Sequence, residues 1–283
     1  MLRGIPSTVV GGIGPDTEWA EALNGVETVV HLAARAHVLA ETETNPLEAF
    51  REVNTHGATA LARACVSNGV RRLVFVSSIG VHGSLNAGAP FTEESALRPD
   101  KPYAVSKLEA EEGLREIAAE AALEIVILRP PLVYGPHVRG NFLRLLDWTW
   151  KRVPLPLGAV HNTRTFIGLD NLVDVLLRCV DAPEAAGQTF VLGDDETTST
   201  AKLLRDIAHH FARPHRLFPC PPMLLRTAAG LLGRAEDAER LLGDLAVDTK
   251  HVRATLDWKP PVSLQEGLTG MCRWYRTRQE GAG

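Results

Sequence analysis

The sequence predicts a doubly wound parallel α/β sheet followed by a smaller, mixed C-terminal lobe. Three observations predict it. Short apolar, β-branched runs alternate with helical stretches through the first half. Several of those runs are apolar at consecutive positions, as in strands buried on both faces. The alternation then breaks after about residue 134. The 283 residues suffice for one large α/β unit or two small domains. With 45% hydrophobic and 23% charged residues the composition is that of a globular protein, which excludes a disordered chain, a collagen and a coiled-coil rod. A net charge of -4 supplies no global basic field for nucleic acid or an anionic membrane.

Taken in order, residues 7–10 and 27–32 read as strands with a helix over 16–23 between them, and 46–68 reads as one long helix. The strand at 72–76 has the apolar core Leu73-Val74-Phe75-Val76. A polar loop, 84–102, leads to a helix over 103–121 and a strand over 123–128. Beyond residue 134 the pattern predicts helices at 141–151, 169–181, 200–211, 224–232 and 235–242, and strands near 165–167 and 189–192. The helix at 224–232, though the most apolar of these, reads as packed in the C-terminal lobe rather than set against a membrane. No run of about 18 apolar residues predicts a transmembrane helix, and the opening residues, with one basic residue and no apolar core, do not read as a signal peptide. Cys65, Cys179, Cys220 and Cys272 lack C-x-x-C spacing and read as reduced thiols of a cytoplasmic protein, with no metal site. His209, His210 and His215 have no acidic or Cys partner at ligand spacing and read as a solvated helix end.

The chemistry-bearing motif is Tyr103-Ala104-Val105-Ser106-Lys107, which sets a phenol and an ammonium at i and i+4 on one helix face. Ser78 follows the strand at 72–76, so its hydroxyl falls at the carboxyl end of a sheet strand, where doubly wound folds bind ligands. The run Leu128-Arg129-Pro130-Pro131-Leu132-Val133-Tyr134-Gly135-Pro136 ends the next strand at the same edge.

With these motifs stand His31-Leu32-Ala33-Ala34, Val53-Asn54-Thr55-His56-Gly57, Arg164-Thr165-Phe166-Ile167 and Leu256-Asp257-Trp258-Lys259-Pro260. In this order and spacing the chain resembles an extended short-chain dehydrogenase/reductase of the nucleotide-sugar epimerase/dehydratase group, from about residue 8 to its end. The resemblance implies a Rossmann-like, partial dinucleotide-binding domain over 1–134, with a return segment at about 163–182, and a mainly substrate-binding lobe over 135–283. It implies NAD or NADP as cofactor. Tyr103 is then the acid/base for a sugar hydroxyl, Lys107 lowers the phenol's pKa and holds the nicotinamide ribose, and Ser78 hydrogen-bonds the reacting oxygen. An unperturbed tyrosine near pKa 10 is a poor base at pH 7, which is why such a shift is needed. Ala33, Ala34 and Asn54 match cofactor-lining positions, Ser77 is held with them as the neighbour of Ser78, and Pro131 matches a position near the carboxamide. Asn141 matches a substrate-contacting amide and Arg164 a diphosphate-binding arginine, the plainer reading of Arg164 being a surface salt bridge.

Sugar 4,6-dehydratases of this group follow the catalytic hydroxyl with Asp-Glu; Ile79 and Gly80 stand there instead. The resemblance therefore implies a nucleotide-sugar epimerase working by hydride transfer at a sugar carbon, C4 of a UDP-sugar, in surface-polysaccharide synthesis. A 4-keto-sugar nucleotide reductase is the alternative, and Leu132, where several epimerases carry an Asn that helps bind the sugar diphosphate, counts against the epimerase. A homodimer is one assembly the family allows. The group opens with a strand, a G-x-x-G-x-x-G turn and a helix whose N-terminus holds pyrophosphate. Val9-Val10-Gly11-Gly12-Ile13-Gly14 instead resembles its third strand, with Gly12 where an acidic residue contacts adenine. The expectation is an N-terminally truncated form lacking roughly 40 residues, about one βαβ unit. It arises from a reading frame that starts upstream or from a truncated, non-catalytic homologue. Gly12-Ile13-Gly14 as a phosphate loop is the weaker alternative.

Overall fold

The computed structural model describes residues 6–36, 44–86 and 88–281. The chain divides into two compact units, Met1–Gly83 with Ala96–Arg129 and Leu176–Phe190, and Ser84–Ser95 with Pro130–Val175 and Val191–Gly283. The first unit closes at Arg129 and takes back the segment Leu176–Phe190.

In chain order the regular elements are α1 (Ala20–Leu23), β1 (Thr28–His31), α2 (Pro46–Arg51), α3 (Gly57–Ser67), β2 (Arg72–Val76), α4 (Pro102–Glu120), β3 (Glu124–Arg129), β4 (Leu132–Tyr134), α5 (Gly140–Trp150), β5 (Arg164–Gly168), α6 (Leu169–Asp181), β6 (Thr189–Val191), β7 (Thr197–Thr198), α7 (Thr200–His210), α8 (Pro222–Leu231), α9 (Ala235–Leu242), α10 (Lys250–Leu256) and α11 (Leu264–Glu280).

The first unit is built on the sheet β1-β2-β3-β6. β1, β2 and β3 are parallel, with Val29 opposite Leu73 and Leu73 opposite Ile125. Leu73, Val74, Phe75, Ile127 and Leu128 are buried, as the consecutive apolar runs require. Helix α4 begins with Pro102 at its first turn and turns Ala104, Lys107, Ala110, Glu111, Leu114 and Ile117 inward at helical spacing. Leu114 and Ala110 join Leu61, Cys65, Leu73, Phe75 and Ile125 in the unit's apolar core. Arg72, fully buried, donates to Glu124 and to the carbonyls of Cys179, Val180 and Ala182. It thereby satisfies carbonyls that the C-terminal end of α6 leaves open.

Residues 7–10 form no strand. They have no ladder partner among the described residues, and Val9 is 88% exposed. The helix expected over 16–23 is reduced to Ala20–Leu23. The helix expected over 46–68 is divided: a π-helical turn, Glu52–His56, separates α2 from α3. Gly57 follows that turn, and a Cβ there would come within 2.8 Å of Ile13 Cγ2, so only glycine admits the N-terminal segment so closely.

The second unit has the sheet β4-β5-β7, parallel between β4 and β5 and antiparallel between β5 and β7. Its core gathers Tyr134, Phe142, Leu146, Phe166, Ile207, Phe211, Leu268, Met271 and Tyr275. Ser199 caps α7 by accepting from Lys202 N, and Ser263 with Glu266 forms a capping box on α11. Asp194 accepts from Tyr134 Oη (2.8 Å), Gly168 N (3.0 Å) and Asn171 Nδ2 (2.7 Å), joining β4, β5 and α6 at one buried carboxylate. α8 departs from expectation: none of its residues is buried, with Met223 76% and Leu231 86% exposed. Among the described residues no helix is long and apolar enough to cross a membrane.

Candidate active site

The carboxyl ends of β1 and β2 and the first turns of α4 supply the chemistry of the first unit. At the end of β2 the chain enters a 3-10 turn, Ile79–His82, capped by Ser78, whose Oγ accepts from Gly80 N at 3.1 Å. This turn lies against the start of α4. A Cβ at Gly80 would sit 3.3 Å from Ser78 Oγ and 3.5 Å from Ala104 Cβ, beside Tyr103. Tyr103 is half-buried and edge-on to Phe50, with ring centroids 6.1 Å apart. One helical turn on, Lys107 is buried with Nζ 3.9 Å from the centroid of the Phe75 ring in β2. It makes no hydrogen bond to a described residue. His31, ending β1, stacks on the same phenyl ring at 5.8 Å.

Asn54 lies in the π-helical turn and is buried. Its Nδ2 donates to Ser106 Oγ (3.0 Å) and to Arg35 O (3.1 Å), and its Oδ1 accepts from Arg35 N (2.8 Å). Ser106 Oγ in turn donates to Tyr103 O at 2.8 Å. One amide therefore fixes both the strand exit carrying the half-buried Ala33 and Ala34 and the helix turn carrying Tyr103. π-helical turns recur at functional sites because they re-aim one side chain without ending the helix.

Burial dominates the electrostatics. It pushes the Tyr103 phenol up to about 12. It also pulls the Lys107 ammonium down to about 7, against the opposing charge of Glu111. His31 is lowered to about 4 by burial and then by the charge of Lys107, so it is neutral at pH 7. Burial thus raises the phenol, the direction opposite to the lowering expected from Lys107.

Ser77, expected beside the cofactor, is tied within the protein. Its hydroxyl donates to the buried Glu111 carboxylate at 2.5 Å. The phosphate-loop reading of Gly12-Ile13-Gly14 lacks the helix N-terminus that would hold the phosphate. Thr17 Oγ1 accepts from Gly14 N (2.9 Å) and donates to Gly12 O (2.8 Å), and no helix opens there.

Pro131, Asn141 and Arg164 belong to the second unit. Pro131 is buried and Asn141 is exposed on the first turn of α5. Arg164 in β5 is half-buried, and its Nη1 donates to Gly243 O at 3.1 Å. Burial lowers its pKa, opposed by Asp244. Sequence reasoning missed Ser106, Glu111 and His82. For Glu111 a signal existed, the continuation of Tyr103 and Lys107 at the same four-residue step.

The profile of the NAD dependent epimerase/dehydratase family matches residues 7–193. A UDP-glucose 4-epimerase of Vibrio cholerae is 41% identical over 92% of this chain and 80% of its own length. A dTDP-glucose 4,6-dehydratase of Streptomyces griseus is 29% identical over 92% of this chain and 75% of its own length. Among solved structures, MoeE5 in complex with UDP-glucose and NAD shares the fold. Its TM-score is 0.72 at 23% identity, over 95% of this chain and 85% of that one.

Proposed function

The chain belongs to the NAD-dependent epimerase/dehydratase family, and from that premise we propose that it is a nucleotide-sugar epimerase inverting C4 of a UDP-sugar, with a role in surface-polysaccharide synthesis. The observation that carries the reading is the set Ser78, Tyr103 and Lys107 at one sheet edge of the first unit, with Ile79 and Gly80 rather than an acidic pair after Ser78. A dehydratase needs a further acid and base to eliminate water, and Ile79 and Gly80 offer neither. The 41% identity to a UDP-glucose 4-epimerase supports the same choice.

The residues fit a nicotinamide cofactor. Lys107 presents a buried ammonium that no described residue hydrogen-bonds, suited to ribose hydroxyls, and Asn54 orders the backbone beside Ala33 and Ala34. NAD, when bound, supplies the acceptor and donor of the hydride. Tyr103 takes the proton of the C4 hydroxyl as the ketone forms, and returns it to the same oxygen when the opposite face is reduced. Ser78 donates a hydrogen bond to that oxygen, which carries partial negative charge in both directions. When protonated, Lys107 carries a positive charge that favours the phenolate.

A purified sample with NAD and UDP-glucose or UDP-galactose tests the reading by NMR of the sugar protons. Interconversion of the C4 epimers without net change in NADH is the expected result. Stoichiometric NADH consumption with a 4-keto sugar nucleotide would identify the reductase instead. Absence of turnover, together with unaltered fluorescence of the five tryptophans on adding NAD or NADP, would overturn both.

A further inference from the structure

Beneath Ser78, Tyr103 and Lys107 lies a buried set of charges that the proposed chemistry does not use. Glu111 stands two turns along α4 from Tyr103 and one from Lys107, on the same buried face. Its carboxylate is fully buried and accepts four hydrogen bonds: from Ser77 Oγ (2.5 Å), Arg129 Nε (3.0 Å), Arg129 Nη2 (2.6 Å) and Arg115 Nη2 (3.0 Å). Arg129, the last residue of β3 and itself buried, places Nη1 3.0 Å from His82 Nε2. A guanidinium only donates, so this ring nitrogen accepts and His82 carries its proton on Nδ1.

The connectivity is specific. Ser77 precedes Ser78 and His82 ends the turn that Ser78 caps, so the network grips that turn at both ends. It anchors both ends to a single carboxylate on the helix that carries Tyr103 and Lys107. A buried ion pair is a poor source of stability, since apolar residues of similar volume often stabilise as well or better. A bidentate fork with every lone pair engaged instead fixes direction and distance. We propose that Glu111 and Arg129 are positioning residues, holding the Ser77–His82 turn so that the Ser78 hydroxyl keeps its place relative to the Tyr103/Lys107 face of α4. This rests on the roles proposed above for Ser78, Tyr103 and Lys107. The Glu111 charge also acts to keep Lys107 protonated against its burial.

Two variants of the full chain test it. Ser77→Ala cuts one tie without uncovering a charge. Arg129→Lys keeps the charge opposite Glu111 but lacks the fork that reaches His82 as well. Hydrogen exchange read by mass spectrometry, with steady-state kinetics and NAD titration by tryptophan fluorescence, gives three readouts. In both variants protection is expected to fall in residues 78–83 and to stay unchanged in β2 and in the second half of α4. A fall in kcat of about tenfold to a hundredfold is expected, the scale of an ångström-level misplacement, with KM and NAD affinity held within about twofold. Unchanged protection of the turn, or an unchanged kcat beside a looser turn, would overturn the positioning role. Weakened NAD binding with kcat intact would instead make Ser77 a cofactor contact. Should the unaltered chain turn over no nucleotide sugar, the proposed function falls on that result, while hydrogen exchange alone still decides whether the network holds the turn.

Discussion

At the scale of single residues, Tyr103 and Lys107 separate function from stability. The Tyr103 hydroxyl has no hydrogen-bond partner among the described residues, so Tyr103→Phe removes little that holds the fold. Denaturation is expected to show a change within about 1 kcal/mol, while epimerisation falls by about 10²-fold or more because the proton acceptor is gone. Lys107→Met has the opposite character. The ammonium is held at about 7 in the folded protein against 10.5 for an ordinary lysine. Below pH 7 it is charged in both states, and its burial costs the full desolvation. Between about 7 and 10.5 the unfolded chain binds the proton and the folded one does not, so the stability of the unaltered protein rises with pH. Lys107→Met is therefore expected to be more stable at pH 6, by on the order of 1–4 kcal/mol, the range for buried charges replaced by apolar groups. That advantage should shrink steadily toward pH 10. Urea denaturation of both proteins at several pH values checks the sign; an advantage that grows with pH would contradict it.

At the scale of elements, what could be read ahead of the structure depended on how local the signal was. The Tyr103–Lys107 step and the run Leu73–Val76 lie within one helix face and one strand, and each was legible as such. The π-helical turn at Glu52–His56 was not, because its residues carry ordinary helical propensities and only its tertiary surroundings, Asn54 against Arg35 and Ser106, select it. β7, two residues long, and β4, three, are below the length at which alternation is detectable, and α11 escaped notice although Ser263-x-x-Glu266 marks its start. That helix supplies a paired test. Gly267→Ala gains helix propensity of up to about 1 kcal/mol. Its methyl, however, falls 2.7 Å from Tyr134 Oη and 2.8 Å from Cε2. The Tyr134 ring cannot yield, being buried, stacked on Phe142 and tied to Asp194. Net destabilisation of about 1–3 kcal/mol is expected. Gly270, three residues on with nothing within 4 Å of a built Cβ, should respond to Gly270→Ala with a gain of roughly 0.5–1 kcal/mol. Thermal or urea unfolding of the two variants distinguishes steric conflict from propensity, and equal shifts of one sign would remove the packing argument.

At the scale of the whole molecule, composition excluded classes without identifying a reaction, and the reaction came from residues that the fold gathers from separate stretches. The network of Ser77, His82, Glu111 and Arg129 draws on β2's exit, a 3-10 turn, α4 and β3, and no short window of sequence holds more than two of its members. The two apolar cores show the same long-range assembly, and they share no residue: one is built around Leu61, Leu73, Leu114 and Ile125, the other around Tyr134, Phe142, Phe166 and Leu268. Truncating a fully buried side chain loses transfer free energy and leaves a cavity, so Leu114→Ala is expected to cost about 2–5 kcal/mol and Phe142→Ala about 3–5 kcal/mol. Phe142 stacks on Tyr134 and meets Phe166 edge-on, which leaves its site little room to collapse and puts it toward the upper end of its range. Sites with no common partner add to within about 0.5 kcal/mol. The double variant is therefore expected to lose the sum of the two single losses, read by urea denaturation with hydrogen exchange resolving each core. A double loss that departs from that sum by more than about 1 kcal/mol would show that the two substitutions are energetically coupled and would remove the argument that each core is stabilised by its own packing.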